Sequence, residues 1–128
     1  MRLLLDTHAF LWFITADPRL GANAKSSIEN PANQRLLSTA SLWEMAIKLS
    51  LGKLILAKPF DTLIADQLAA NAIDILSIEV SHVTAVSKMP FHHRDPFDRL
   101  LVAQAIVERI PIVSAETTFD AYGVDRIW

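Results

Sequence analysis

Residues 1–14, MRLLLDTHAFLWFI, run three leucines into an aspartate and then into a second apolar stretch. Leu3–Leu5 reads as a buried strand and residues 8–15 as a helix, so Asp6 stands where strand gives way to helix. The first five residues mimic a signal peptide, but Asp6 and His8 break the apolar run. The same unit returns downstream. A short strand at 35–38 (RLLS) precedes a helix from about Ala40 to Leu51, where Leu42, Ala46 and Leu49 recur at helical spacing and Gly52 stops the run. Helices follow at 61–71 and 80–88 with a strand at 73–78 (IDILSI) between them, and Pro96 opens a helix to Glu108. The strands PIVSA (111–115) and VDRIW (124–128) complete the pattern. Short apolar strands alternating with helices predict an α/β fold, a mostly parallel sheet covered on both faces. Such sheets place their sites outside the carboxyl ends of the strands.

The bulk properties fit one domain over residues 1–128. Hydrophobic residues make up 52% and charged residues 20%, which excludes a disordered chain. Without cysteine there are no disulfides, thiolate metal sites or thiol nucleophiles, in keeping with a reducing cytoplasm. No apolar run is long enough to span a membrane. A net charge of −2 gives no basic stripe of the kind common in nucleic-acid binders. The one local concentration of positive groups is His92, His93 and Arg94. Only three glycines are present, which weighs against P-loop and dinucleotide folds.

Four acids fall near strand ends or helix starts: Asp6, Glu44, Asp98 and Glu116. Each has a purely structural reading. Asp6 can cap the helix after it, and Glu44 can pair with Lys48 four residues on. In HHRDPFDRLLVAQ (92–104), Asp95 can be the N-cap, Pro96 the first helical residue and Asp98 a first-turn acid. Glu116 can be a solvated turn acid. The alternative gives all four one cause: clustered carboxylates repel unless a positive charge joins them, and a hard ion such as Mg²⁺ or Mn²⁺ does so. That arrangement suits hydrolysis of a phosphodiester. Asp98 is the telling residue, since its helix face continues as Val102 and Ala105, where burying a charge is costly. Among the histidines, His8 reads as packing on the first helix, His82 as helix surface, and His92 and His93 as loop residues within reach of a substrate phosphate. No serine sits in a nucleophile elbow.

The stretches LLLDTHAFLW, STASLWEMAIKLSLGKL, HRDPFDRLLVAQA and IVSAETTFDAYGVDRIW resemble the successive motifs of PIN-domain proteins, and among them the VapC-type toxins of bacterial toxin–antitoxin pairs. The resemblance runs from Arg2 to Trp128. It implies an α/β/α sandwich that binds Mg²⁺ or Mn²⁺ and cuts RNA, with Asp6, Glu44, Asp98 and Glu116 as the catalytic and metal-binding acids. Aspartate is more usual than glutamate at the fourth place, and Asp120 is the nearby alternative. Thr7 and Ser114 stand beside acids and are placed to orient them or a water, and Asp95 fixes Asp98 as its cap. Arg94 and Arg99 are the residues to position an RNA backbone. The resemblance further implies an antitoxin partner whose C-terminal segment covers the cleft, and a homodimer. Leu11, Trp12, Leu42 and Trp43 can form an apolar groove, although most of them read as core. Two other classes compete with this reading: an inactive PIN-like module that only binds protein, and a metal-dependent DNA nuclease or phosphatase.

Overall fold

The computed structural model describes all 128 residues. Five parallel strands make one sheet: β1 (Arg2–Leu5), β2 (Gln34–Ser38), β3 (Ile73–Leu76), β4 (Ile112–Val113) and β5 (Arg126–Ile127). The α-helices are α1 (Thr7–Ile14), α2 (Ala22–Glu29), α3 (Thr39–Ser50), α4 (Phe60–Ala70), α5 (Val80–Lys88) and α6 (Pro96–Glu108), and a 3₁₀ helix covers Thr117–Tyr122. The expected "mostly parallel" sheet is wholly parallel. Its last two strands are shorter than their apolar runs, because only two residues of each find a partner.

Alternate side chains of a strand point to opposite faces, and β1 shows what this does to three consecutive leucines. Leu3 and Leu5 join Ala9 and Phe10 of α1, Ala24 and Ile28 of α2 and Ile64 of α4 in one core. Leu4 joins Leu101, Val102 and Ala105 of α6 in the other. All three leucines are fully buried. A continuous apolar run is therefore what a central strand between two helical layers requires, and the α/β/α sandwich follows.

The strand order is β3-β2-β1-β4-β5. The chain builds outward from β1 through β2 to β3, then returns to the other side of β1 for β4 and β5. The direction reverses between β1 and β4, and parallel sheets open a crevice beyond the carboxyl ends of the strands at that point. Asp6 leaves β1 there and Ser114 leaves β4 there. No helix is long and apolar enough to cross a membrane.

Two helices depart from their expected faces. In α3 the buried residues are Ala40, Ser41, Glu44 and Met45, and Leu42 is only partly buried. The stripe Leu42–Ala46–Leu49 is thus not the helix's inner face; the side turned inward carries a serine and a glutamate because it borders the crevice. Trp43, grouped by sequence with residues that mostly read as core, is 59% exposed. In α5, His82 was expected on the surface and is fully buried. Its Nδ1 accepts the Glu79 amide at 2.9 Å as half of a capping box, and its Nε2 lies 3.1 Å from Oε2 of Glu108 on α6. A histidine with polar partners on both ring nitrogens meets the cost of burial.

Candidate active site

Asp6 is the N-cap of α1, its Oδ1 accepting the Ala9 amide at 2.7 Å. Capping holds the carboxylate at the strand-to-helix junction over the crevice without removing it from the site. Burial pushes its carboxyl above the usual value, while a hydrogen bond from Ser114, the Ala9 amide and nearby His8 oppose this and Glu116 adds to it. His8 is exposed, with its ring 5.5 Å from that of Trp12, so it packs as expected and also lies close enough to influence Asp6.

Glu44 enters from α3, whose N-cap Ser38 ends β2. It is buried, and both oxygens are engaged: Oε1 accepts from Thr7 Oγ1 at 2.7 Å and Oε2 from Lys48 Nζ at 2.7 Å. Thr7 Oγ1 also lies 2.9 Å from Ser41 Oγ, giving a buried chain that ties α1 to α3. The helical pair with Lys48 and the place in the crevice coexist. Ser41 is a site neighbour that the sequence showed only as part of the STAS entry to the helix.

Asp98 comes from the first turn of α6. Asp95 caps that helix, its Oδ1 accepting the amides of Phe97 (2.8 Å) and Asp98 (3.1 Å), and Pro96 supplies the first helical φ. The Asp98 carboxyl is pushed up to about 8, first by burial and then by Asp95, Asp6, Glu44 and Glu116. Acids from three other segments, Asp6, Glu44 and Glu116, thus act on one carboxyl together with the neighbouring Asp95. Neither Asp6 nor Asp98 pairs with a lysine or arginine.

Glu116 follows β4, its amide donating to Ser114 Oγ at 3.0 Å. Ser114 is therefore placed between Asp6 and Glu116. The alternative fourth acid, Asp120, is taken up elsewhere: Arg126 grips it through Nε (2.9 Å) and Nη2 (3.2 Å), which holds its carboxyl below the usual range. Glu116, by contrast, is among the acids that raise Asp98.

The loop before α6 brings in a residue that sequence reading gave only a phosphate-contact role. His93 Nε2 lies 3.3 Å from Asp98 Oδ2 and 3.7 Å from Glu116 Oε2. Its sequence signal was proximity to DPFD alone, and its position depends on residues far along the chain. The Tyr122 hydroxyl accepts the amides of His92 (3.0 Å) and His93 (2.9 Å).

Arg99 does not occupy the expected position. It is buried, with Nη1 donating to the Pro90 carbonyl (2.8 Å) and to Tyr122 Oη (3.3 Å) and Nη2 to the carbonyls of Val86 (3.3 Å) and Met89 (3.4 Å). Its guanidinium also stacks over Phe91 at 4.0 Å. With both Nη groups committed to protein acceptors and the side chain buried, Arg99 shapes the loop instead. Arg94 is exposed and pairs with no acid.

No three His, Asp or Glu side chains are drawn together tightly enough to cage an ion by themselves. The donor set is carboxylate and hydroxyl apart from the His93 imidazole, and it has no thiolate. It suits Mg²⁺ or Mn²⁺, which use one or two direct carboxylates and keep several waters, better than zinc, which takes nitrogen and sulfur in a closed tetrahedron.

The sequence matches the PIN domain family over residues 3–125. Among curated proteins no significant match was found. Several solved structures share the fold. VapBC2 from Rickettsia felis, bound to a DNA fragment from their promoter, aligns over 100% of both chains at 15% identity with a TM-score of 0.72. VapBC-1 from nontypeable Haemophilus influenzae aligns over 98% of this chain and 96% of its own at 14% identity, TM-score 0.66. FitAcB from Neisseria gonorrhoeae covers 97% and 95% at 16% identity, TM-score 0.61. Identities this low speak for the fold alone, but the family match spans nearly the whole sequence, and by it the chain belongs to the PIN domain family.

Proposed function

We propose that this chain is a Mg²⁺- or Mn²⁺-dependent endoribonuclease and the toxin half of a type II toxin–antitoxin pair. The observation that carries the reading is Asp98: a largely buried carboxyl among Asp6, Glu44, Asp95 and Glu116, itself paired with no lysine or arginine, is a site in need of a cation. Membership of the PIN domain family and a fold shared with structures of VapBC and FitAB complexes support it.

In this reading Asp6 and Asp98 hold the ion, while Glu44 and Glu116 complete the site directly or through water. When bound, the ion would activate a water and neutralise charge developing on the phosphodiester. The protein's own residues keep the geometry fixed. Thr7 turns Glu44, Ser114 links Asp6 with Glu116, and Asp95 anchors the turn that carries Asp98. Arg94 is free to meet the RNA backbone, a contact that gives affinity without base choice. An antitoxin covering this cleft and a homodimer belong to the same reading.

The test is cleavage of labelled tRNA, messenger RNA fragments and single-stranded DNA with Mn²⁺, Mg²⁺ or EDTA, with Asp98→Asn alongside. Discrete RNA cleavage lost in EDTA and in the folded variant is expected. Equal cleavage by variant and wild type would remove Asp98 from the site, and preference for DNA would change the substrate class.

A further inference from the structure

We propose that His93 is a positioning residue of the acidic site, one that donates its Nε2 hydrogen to the Asp98–Glu116 pair and so decides which carboxylate oxygens remain for a cation. The inference rests on the metal-site reading above and adds a residue to it.

Three observations fix the ring. The backbone of His93 is held from outside the loop, because its amide and that of His92 both donate to Tyr122 Oη. The same hydroxyl accepts from Arg99, whose other donors grip the carbonyls of Val86, Met89 and Pro90. The loop from Met89 to Asp95 is thus tied at both of its faces, to α6 and to the 3₁₀ helix. The ring also packs near Phe119, with centroids 5.8 Å apart.

The second nitrogen settles what the first can do. Asp95 N–H donates to His93 Nδ1 at 3.1 Å. A backbone amide cannot accept, so Nδ1 carries a lone pair and the hydrogen of the neutral ring is on Nε2. Nε2 is then a donor and not a metal ligand. It lies 3.3 Å from Asp98 Oδ2 and 3.7 Å from Glu116 Oε2, with no lysine or arginine reaching either acid.

A donor drawn toward Oδ2, within ion-pair distance in this structure, favours ligation of the ion through Oδ1 alone. That suits an octahedral ion that keeps its waters. It also brings the side chain of Glu116, which is 47% exposed, toward Asp98 against their mutual repulsion. Groups that hydrogen-bond ligating carboxylates typically change metal affinity by about 10–100-fold when removed.

Two substitutions separate the donor from the ring. His93→Gln keeps an N–H near the Nε2 position without the ring; His93→Phe keeps the packing on Phe119 without the donor. Mn²⁺ binding to the full chain is measured by calorimetry for wild type and both variants, with folding checked by circular dichroism. His93→Phe is expected to bind about 10–100-fold more weakly, and His93→Gln to stay within about threefold of wild type. In RNA cleavage the Phe variant's half-saturating Mn²⁺ should rise in step while KM for RNA stays put. Wild-type Mn²⁺ affinity in His93→Phe overturns the proposal, and a raised RNA KM with it would make His93 a phosphate contact. Equal loss in both variants also overturns it, because Nε2 would then be a ligand. If the wild type itself takes up no Mn²⁺, the metal-site reading fails and this inference fails with it.

Discussion

Removing a charge from the site should stabilise this protein when no cation is present. The folded Asp98 carboxyl is pushed up to about 8 from an ordinary 3.8. The folded state therefore holds a proton that the unfolded chain releases above pH 4, and stability falls as pH rises from about 4 to about 8, then levels off. At pH 7 the separation from 3.8 is roughly three pH units, equivalent to about 4 kcal/mol. Water entry and side-chain adjustment relieve part of this, so the expected gain from Asp98→Asn is about 2 kcal/mol. For a chain of this size that is a rise in Tm of roughly 6–10 °C. The assay is thermal unfolding in EDTA at pH 4, 7 and 8.5. The variant should match wild type at pH 4, exceed it at pH 7 and exceed it further at pH 8.5. Adding Mn²⁺ should then raise the wild type alone, by about 2.7 kcal/mol at a hundred times Kd. An Asn variant less stable than wild type in EDTA at pH 7 and above would refute the argument, since it would mean that the carboxylate is already compensated by protein groups.

Arg99→Ala should cost about 3 kcal/mol of stability in denaturant unfolding by stripping donors from the Val86, Met89 and Pro90 carbonyls, whereas a phosphate-contacting arginine would cost almost nothing. Arg94→Ala should show the converse: stability within about 0.5 kcal/mol of wild type, and a salt dependence of RNA binding shallower by about one unit in log–log slope. Thr7→Val should destabilise by about 1–3 kcal/mol through the unpaired Glu44 and Ser41, and Thr7→Ser should restore most of it. His82→Leu should also alter acid unfolding. His82, then Arg2, hold the Glu108 carboxyl below its usual value, so this pair adds stability above that value and loses it as pH falls. The acid limb of the variant's stability curve should be flatter.

The sheet was readable because its strands are buried on both faces. LLL, RLLS and PIV have no polar alternation to confuse with a helix, and the first two run into the helix caps Asp6 and Ser38. The nearness of Asp6, Glu44 and Glu116 was expected for a related reason, since a parallel sheet sends its strand ends to one edge, whereas Asp98 follows a loop and its approach was inferred. What stayed hidden was every contact that joins distant segments. His82 faces inward because Glu79 and Glu108 satisfy its two nitrogens, and no local pattern announces partners 3 and 26 residues away. Arg99 looked like a phosphate ligand because basic residues beside an acidic motif usually face solvent. Its acceptors are carbonyls of a preceding loop, which a sequence does not display. In α3 the apolar stripe named the wrong face, since a helix bordering a polar crevice turns Ser41 and Glu44 inward and leaves Trp43 out.

In the proposed site, capping and metal binding draw on the same acids. An N-cap carboxylate accepts one or two amides with one oxygen, as Asp6 does from Ala9 and Asp95 does from Phe97 and Asp98. The cap does not use the other oxygen, and it holds the side chain in place. Asp6 therefore serves directly, its rotamer set by the helix it starts. On α6 the two tasks are divided between Asp95 and Asp98, three residues apart, so the cap fixes the turn and the next acid faces the crevice. The consequence is that cap and proposed site belong to different residues on α6 and to one residue on α1, where only a substitution that keeps a capping oxygen separates them. Asp95→Ser, which retains a capping oxygen, should leave helix stability nearly unchanged and remove one of the charges that raise Asp98. Asp6→Ser should preserve the helix start equally well and still abolish the site. A thermal scan paired with Mn²⁺ calorimetry distinguishes the two, and equal Mn²⁺ affinity in Asp6→Ser and wild type would show that Asp6 is a cap and nothing more.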